Sequence, residues 1–477
     1  GGGGGGGGAR WPLLRATDRV VIIGGGPTGL GAAHRLHELG HTNFVVLEGN
    51  ASVGGLSASY VDERGFRWDL GGHVYFSHYA YFTRLFERFV PRFQHNDREA
   101  YVRVNDTWVP YPFQNNLRYL PRAEAERCLR TLEAAQARGD ARLAHHFGQF
   151  VERAFGERIA ALFMRPYNFK VWAHPLELMS KEWIGERVAT IDVARARRNV
   201  RDGLDDFGWG PNHRFKYAYH GTMELFTALR AALVARAPRA VRTNAFVDAV
   251  DTQRRVVRTA DGAEHAYDYV ISTMPLDLLV GRALRDAPVP DAVRWAATHL
   301  LRHSGAYIVG IGIEGRVPQP WSWLYFPGDD TPFYRVTYLS NYSPLMTPNA
   351  TRYYSCMAEV SFSEYKRESE RDVAQRVVDG LVAADVIPRA HVPRIVSRWV
   401  HKLHYAYPTP SLERDAALAV ALPWLERERI LSRGRFGLWR YEVANTDHTV
   451  MQGVEAVNRL VLGEREVTID THYSTDA

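Results

Sequence analysis

One run, Asp18 to Glu48, constrains the fold of this 477-residue chain more than any other feature. The apolar stretch Val20 to Ile23 enters Gly24, Gly26 and Gly29 in G-x-G-x-x-G spacing, a helix follows to Leu39 and Gly40, and the strand Phe44 to Leu47 ends on Glu48. Together these make a dinucleotide cradle. Gly24 permits the tight turn, Gly26 lets backbone N–H groups approach a pyrophosphate at the positive helix end, and Gly29 lets helix and strand pack closely. Thr28 stands in the first helical turn, and Glu48, 19 residues beyond Gly29, is spaced to accept hydrogen bonds from an adenosine ribose.

Val53-Gly54-Gly55-Leu56 follows Glu48 at the spacing seen in FAD enzymes of the glutathione-reductase type, where a second glycine pair lets the chain pass the flavin side of the cofactor. FAD is therefore expected over NAD. The length exceeds what one hydrophobic core supports, so two or three domains are expected. The +6 excess (59 Lys+Arg, 53 Asp+Glu) is spread along the chain, which fits small anionic ligands better than nucleic acid. Two cysteines, Cys128 and Cys356, are too few for a disulfide framework or a Cys-based metal site, so no metal is expected and a reducing cytoplasm is the default location. No apolar run reaches the roughly 18 residues of a membrane span, and the octaglycine Gly1 to Gly8 is set aside as a linker.

From about Pro121 to Met164 apolar residues recur at helical spacing, and Ala189 to Asp206 continues helically with Arg195, Arg197, Arg198 and Arg201 on a solvated face. From Val241 the pattern alternates, turns at Asp261-Gly262, and ends in the strand Tyr269 to Ser272. Between about Ala306 and Val360 the chain is strand-like, which predicts an antiparallel sheet. Near the C-terminus a polar turn, Asn445 to His448, precedes a short amphipathic helix whose N-terminus can point at the cofactor. The expected fold is α/β: a discontinuous Rossmann-like FAD-binding domain (17–90, 221–300, 426–477), a helical substrate domain (91–205), an antiparallel-sheet domain (206–220, 301–425), and a linker or tail over 1–16.

The segments WVPYPFQNN (from Trp108), MRPYNFKVWAHP (from Met164), WIGERVA (from Trp183), FGWGPNHRF (from Phe207), LYFPGDDTPFYR (from Leu324), SNYSP (from Ser340), YPTPSLER (from Tyr407) and GRFGLWRYEV (ending at Val443) together resemble the UDP-galactopyranose mutase family, in the longer form of fungi and protozoan parasites. The likeness runs over nearly the whole chain from Arg19. The residue types agree with it, since an aromatic slot with amides suits a pyrimidine base, and forked cations with phenols suit a diphosphate. The resemblance implies that Tyr111, Phe113, Gln114, Asn168 and Trp172 line a uridine pocket, that Arg335, Arg187, Tyr325, Tyr342, Tyr407 and Tyr441 clamp the pyrophosphate, and that Asn212 touches the sugar. Phe76 and Trp323 complete the substrate-facing set. His73, after a double glycine, matches a histidine on a mobile loop beside the isoalloxazine, and Arg435 matches an arginine near flavin and substrate. Gly72, Val247, Asn445 and Gln452 join the cradle residues around the flavin.

The activity so implied is a redox-neutral interconversion of UDP-galactopyranose and UDP-galactofuranose. N5 of reduced FAD serves as the nucleophile toward the anomeric carbon, and NADPH serves as reductant in the same cleft. Three other readings stay open: a related nucleotide sugar (6-deoxyhexose or pentose), an FAD amine oxidase or desaturase, and a nucleotide-sugar binder that keeps flavin structurally. A homo-oligomer is also left open. There are two departures from the family pattern: His220 stands where a glycine is usual, close enough to the sugar region to leave the sugar open, and Ala444 replaces a glycine before Asn445.

Overall fold

The computed structural model describes residues 12–184, 191, 193–206 and 213–470. Its organising element is a five-stranded sheet in the order 430–432, 269–272, 20–23, 44–47, 241–242, with every neighbouring pair parallel. β1 (Val20–Ile23), α1 (Pro27–Glu38) and β2 (Phe44–Leu47) form the expected βαβ unit. β1 is buried along its whole length because its alternate side chains serve two cores. Val20 and Ile22 face a layer that includes α1 and the helix Thr446–Leu462, whereas Val21 and Ile23 face the 414–427 helix and the 276–301 segment. The chain's last strand and last long helix thus complete the sheet begun at its N-terminus.

The second sheet has seven strands, in the order 395–409, 302–314, 353–362, 335–337, 323–325, 100–104, 107–110. Neighbours are antiparallel except 323–325 against 100–104, which run parallel. The strands at 100–110 therefore belong to this sheet and not to the helices that follow them. Those helices, Arg122–Arg138 and Phe147–Ile159, pack Leu129, Leu132, Val151 and Phe155 together, and the helix Arg165–Trp172 continues from them. Strand 214–218 pairs with 93–97 in a separate ribbon.

Two terminal expectations change. Asn445 caps a 17-residue helix, so Asn445 to His448 lie at its start and not in a turn before a short helix. Ahead of β1, the Leu14 amide donates to the Leu460 carbonyl at 2.8 Å, so that part of the segment 1–16 is attached to the same helix. Cys128 and Cys356 are buried free thiols, and no helix among the described residues is long and apolar enough to cross a membrane.

Candidate active site

The C-terminal ends of β1 and β2 open into a cavity of about 1010 Å³ that runs from the glycine turn across to the second sheet. Gly24, Gly26, Thr28, Glu48, Gly55 and Leu56 line its near end. A Cβ at Gly29 would strike the Gly24 carbonyl oxygen, which explains the third glycine by helix–strand packing. At Gly26 a Cβ would meet no protein atom closer than 3.6 Å, so no clash within the protein calls for glycine there, whereas close approach of a pyrophosphate to the backbone would. The buried Glu48 carboxylate accepts from the Gly25 amide (2.7 Å) and the Asn50 amide (2.8 Å) while bordering the same space. The Thr28 hydroxyl donates to the Thr449 carbonyl at 2.7 Å, and the Gly54 amide donates to the Gly25 carbonyl at 2.9 Å, which ties the second glycine pair onto the first. The glycine turn at the start of α1, the acid at the end of β2 bordering the cavity, and a volume at the upper end of ordinary ligand sites fit an FAD.

The far end of the cavity is charged and aromatic. Tyr325, Arg335 and Glu359 are register partners across three adjacent strands, so sheet geometry alone brings them side by side. Arg335 Nη2 donates to Glu359 Oε1 at 2.7 Å and Nε donates to Oε2. Burial by itself would push the Glu359 carboxyl up, but the guanidinium holds it below its ordinary value; Arg335, in return, is held fully charged. The Tyr334 hydroxyl donates to Glu359 at 3.2 Å and lies 3.2 Å from the Tyr407 hydroxyl. Burial raises the phenols of Tyr325, Tyr342 and Tyr407, so all remain neutral hydrogen-bonding groups at neutral pH.

The loop carrying His73 rests on this ion pair. A Cβ at Gly71 would sit 3.0 Å from Glu359 Oε1, and one at Gly72 would sit 2.9 Å from the Thr337 hydroxyl and 3.5 Å from the Arg335 guanidinium. His73 Nε2 lies 3.2 Å from the Leu70 carbonyl. Burial lowers its imidazole against the opposing pull of Asp69 and Glu359, which leaves it neutral at pH 7. Arg435 stands over the ring of Tyr407 at 4.9 Å and donates to the Ala406 and Ala444 carbonyls (3.0 and 3.2 Å). Phe76, Trp323, Tyr342 and Asn445 also line this cavity.

A smaller cavity of about 170 Å³ opens beside it, lined by Gln114, Asn168, Trp172, Trp183 and Tyr167 among others. Tyr111, Tyr325, Tyr334, Arg335, Tyr407 and Tyr441 line both spaces, so the cation and its phenols stand at the junction. Trp172 meets Tyr441 edge-on at 4.6 Å, and the Asn168 amide donates to the Met164 carbonyl at 2.7 Å.

Three expected residues lie elsewhere. Phe113 is fully buried against Phe163, its ring drawn into the helical core. Val247 belongs to the apolar core beside the parallel sheet. Gln452 spends both ends of its amide on backbone, accepting from Gly434 (2.7 Å) and donating to Val443 (2.8 Å), so it shapes the 434–443 turn. Arg187 and Asn212 lie outside the described residues. His220 pairs with Glu224 at the surface, 3.2 Å apart, and does not border either cavity, whereas Ala444 does border the larger one. Glu359, Tyr334 and Tyr167 were missed. An acid inside the buried run of strand 353–362 was a usable signal, because a carboxylate there needs a cation.

The chain matches the flavin-containing amine oxidoreductase family over residues 27–458. It is similar to a reduced UDP-galactopyranose mutase of known crystal structure, with 41% identity, 96% of each chain covered and a TM-score of 0.91. A cyclohexylamine oxidase from Brevibacterium oxydans IH-35A (14% identity, 94% of this chain and 99% of that one, TM-score 0.67) and a fatty acid isomerase from P. acnes (15% identity, 94% and 99%, TM-score 0.63) share the fold alone. With a cradle that fits FAD and a cation-phenol junction on a fold so matched, the chain belongs to the flavin-containing amine oxidoreductases and, within them, to the UDP-galactopyranose mutase family.

Proposed function

We propose that this protein interconverts UDP-galactopyranose and UDP-galactofuranose on a bound, reduced FAD. Bound and reduced, the flavin supplies a nucleophilic nitrogen for the anomeric carbon, so sugar isomerisation needs no net oxidation. The supporting observation is the junction itself: Arg335, held charged by Glu359, and five phenols stand between a cavity bordered by a dinucleotide cradle and one bordered by amides and indoles. A UDP-sugar fits that order, with uracil among Tyr111, Gln114, Asn168 and Trp172, the diphosphate at Arg335, and the sugar toward His73 and Arg435. Arg335 would hold UDP in place while its bond to the sugar is broken, which keeps the leaving group positioned for return. An amine oxidase site asks for an apolar cage around a neutral amine, and a guanidinium at this position disfavours it.

NADPH is proposed as reductant. G-x-G-x-x-G recurs at Gly310, Gly312 and Gly315, but within and just past strand 302–314 and not at a strand-to-helix turn, so it makes no second cradle, and the nicotinamide dinucleotide would use the same cleft before the sugar nucleotide enters. The decisive experiment treats anaerobically reduced protein with labelled UDP-galactose and cyanoborohydride, then analyses the released flavin by mass spectrometry. A sugar-bearing flavin is expected; unlabelled flavin together with absent furanose product would sink the proposal.

A further inference from the structure

One buried lysine ties the two walls of the smaller cavity together. Lys170 lies on the helix Arg165–Trp172, two residues from both Asn168 and Trp172, and is only 6% exposed. Its ammonium donates to the carbonyl of Gly328, to the carbonyl of Thr331 at 2.9 Å, and toward the hydroxyl of Thr331 at 3.1 Å. All three acceptors sit on the turn joining strand 323–325, which carries Trp323 and Tyr325, to strand 335–337, which opens with Arg335. Elsewhere the helix is held by the ion pairs of Arg165 with Glu152 and Glu177 at its start, and toward its end the Ser361 hydroxyl donates to the Lys170 carbonyl and the Ser363 hydroxyl to the Ala173 carbonyl.

We infer that Lys170 is a positioning residue for nucleotide affinity, fixing the distance between the base-binding helix and the strand pair that carries Tyr325 and Arg335. The inference rests on the proposed UDP-sugar reading. An ammonium is costly in this place: burial and the neighbouring Lys366 bring it down to about 7, although Asp330, Asp329 and Glu368 pull the other way. A methionine would fill the same volume without that penalty, so holding the fold together does not account for a charge here. One amine nitrogen converging on three acceptors of a single turn sets a spacing that an apolar side chain cannot, and the base and the diphosphate of one ligand sit on the two parts so joined.

The test is K170M holoenzyme, assayed for UDP binding by titration calorimetry, for flavin content by absorbance, and for steady-state turnover after dithionite reduction. We expect the Kd for UDP and the KM for UDP-galactopyranose to rise at least ~10-fold, kcat to stay within ~3-fold, and flavin content to be unchanged. UDP affinity within twofold of wild type in flavin-replete K170M would overturn the inference. Wild-type protein that fails to bind UDP would instead remove the UDP-sugar reading beneath it. Should K170M not fold, T331V decides: it keeps the ammonium and removes one acceptor, a Kd rise of ~3-fold is expected, and an unchanged Kd overturns the assignment.

Discussion

The two ends of the large cavity solve recognition by opposite means. At the cradle the working groups are backbone amides, and side chains matter chiefly where they are absent, as at Gly26 and Gly29. At the junction the working groups are long side chains, Arg335 and the phenols, brought together by pairing within the second sheet, with Arg335 and Tyr334 bonded to the buried Glu359 carboxylate. A cofactor that stays bound can be gripped by rigid backbone, whereas a ligand that must enter and leave is met by side chains that can be displaced. The comparison makes a sharp claim: damage at one end should spare the other.

The harshest challenge is Gly29→Val at the cradle. The added side chain collides with the Gly24 carbonyl, so purified protein should be nearly colourless and turnover should vanish; retained flavin absorbance at 450 nm would show that the helix can shift without harm. At the other end, Arg335→Ala should keep its flavin and lose at least ~10²-fold in kcat/KM, from about 3 kcal/mol of charged phosphate contact. Because this variant strands a buried Glu359, its melting temperature should also fall. R335M/E359Q should recover the melting temperature but not the activity, which separates clamp from scaffold. Flavin loss from both Arg335 variants would mean that the two ends are not independent.

Smaller changes sharpen the picture. Tyr407→Phe leaves Tyr334 its bond to Glu359, so the fold should hold while kcat/KM falls ~10-fold, about 1.4 kcal/mol for one phenol; no change would remove Tyr407 from the clamp. The last prediction follows from Lys170. Its folded value of about 7 lies below the ordinary 10.5, so between those pH values the unfolded chain holds a proton that the folded protein has released. Stability measured by urea unfolding should therefore rise with pH above about 7 in wild type relative to K170M, by at most about 1.4 kcal/mol per pH unit. Parallel curves for the two proteins would contradict a lysine buried in this way.

The same contrast explains what the sequence disclosed. The two strands of the βαβ unit, Val20 to Ile23 and Phe44 to Leu47, were legible to the residue and its helix to within two, because its chemistry lies in glycine spacing over 31 consecutive positions. The junction was legible only as an inventory: Arg335, Tyr325 and Tyr407 could be named from their motifs, but Glu359 went unseen because its role exists only once strand 353–362 pairs with strand 335–337. Phe113 and Val247 show the reverse error. Their types suited a binding pocket, yet only packing decides whether an apolar side chain borders a cavity or fills a core, and both fill cores. For Gln452, local periodicity cannot reveal that its amide is bonded to Gly434 and Val443. Helix 446–462 was underestimated in length because the polar run Asn445 to His448 reads as a loop until its cap is seen.

Strand 430–432 and helix 446–462 close the sheet that β1 and β2 begin. During synthesis residues 18–48 therefore emerge from the ribosome roughly 400 residues ahead of the walls that bury them, and must wait for residues 430–462 before a tight coenzyme site exists. Chains terminated before 430 should consequently fail to retain the yellow coenzyme, however intact their glycine turn.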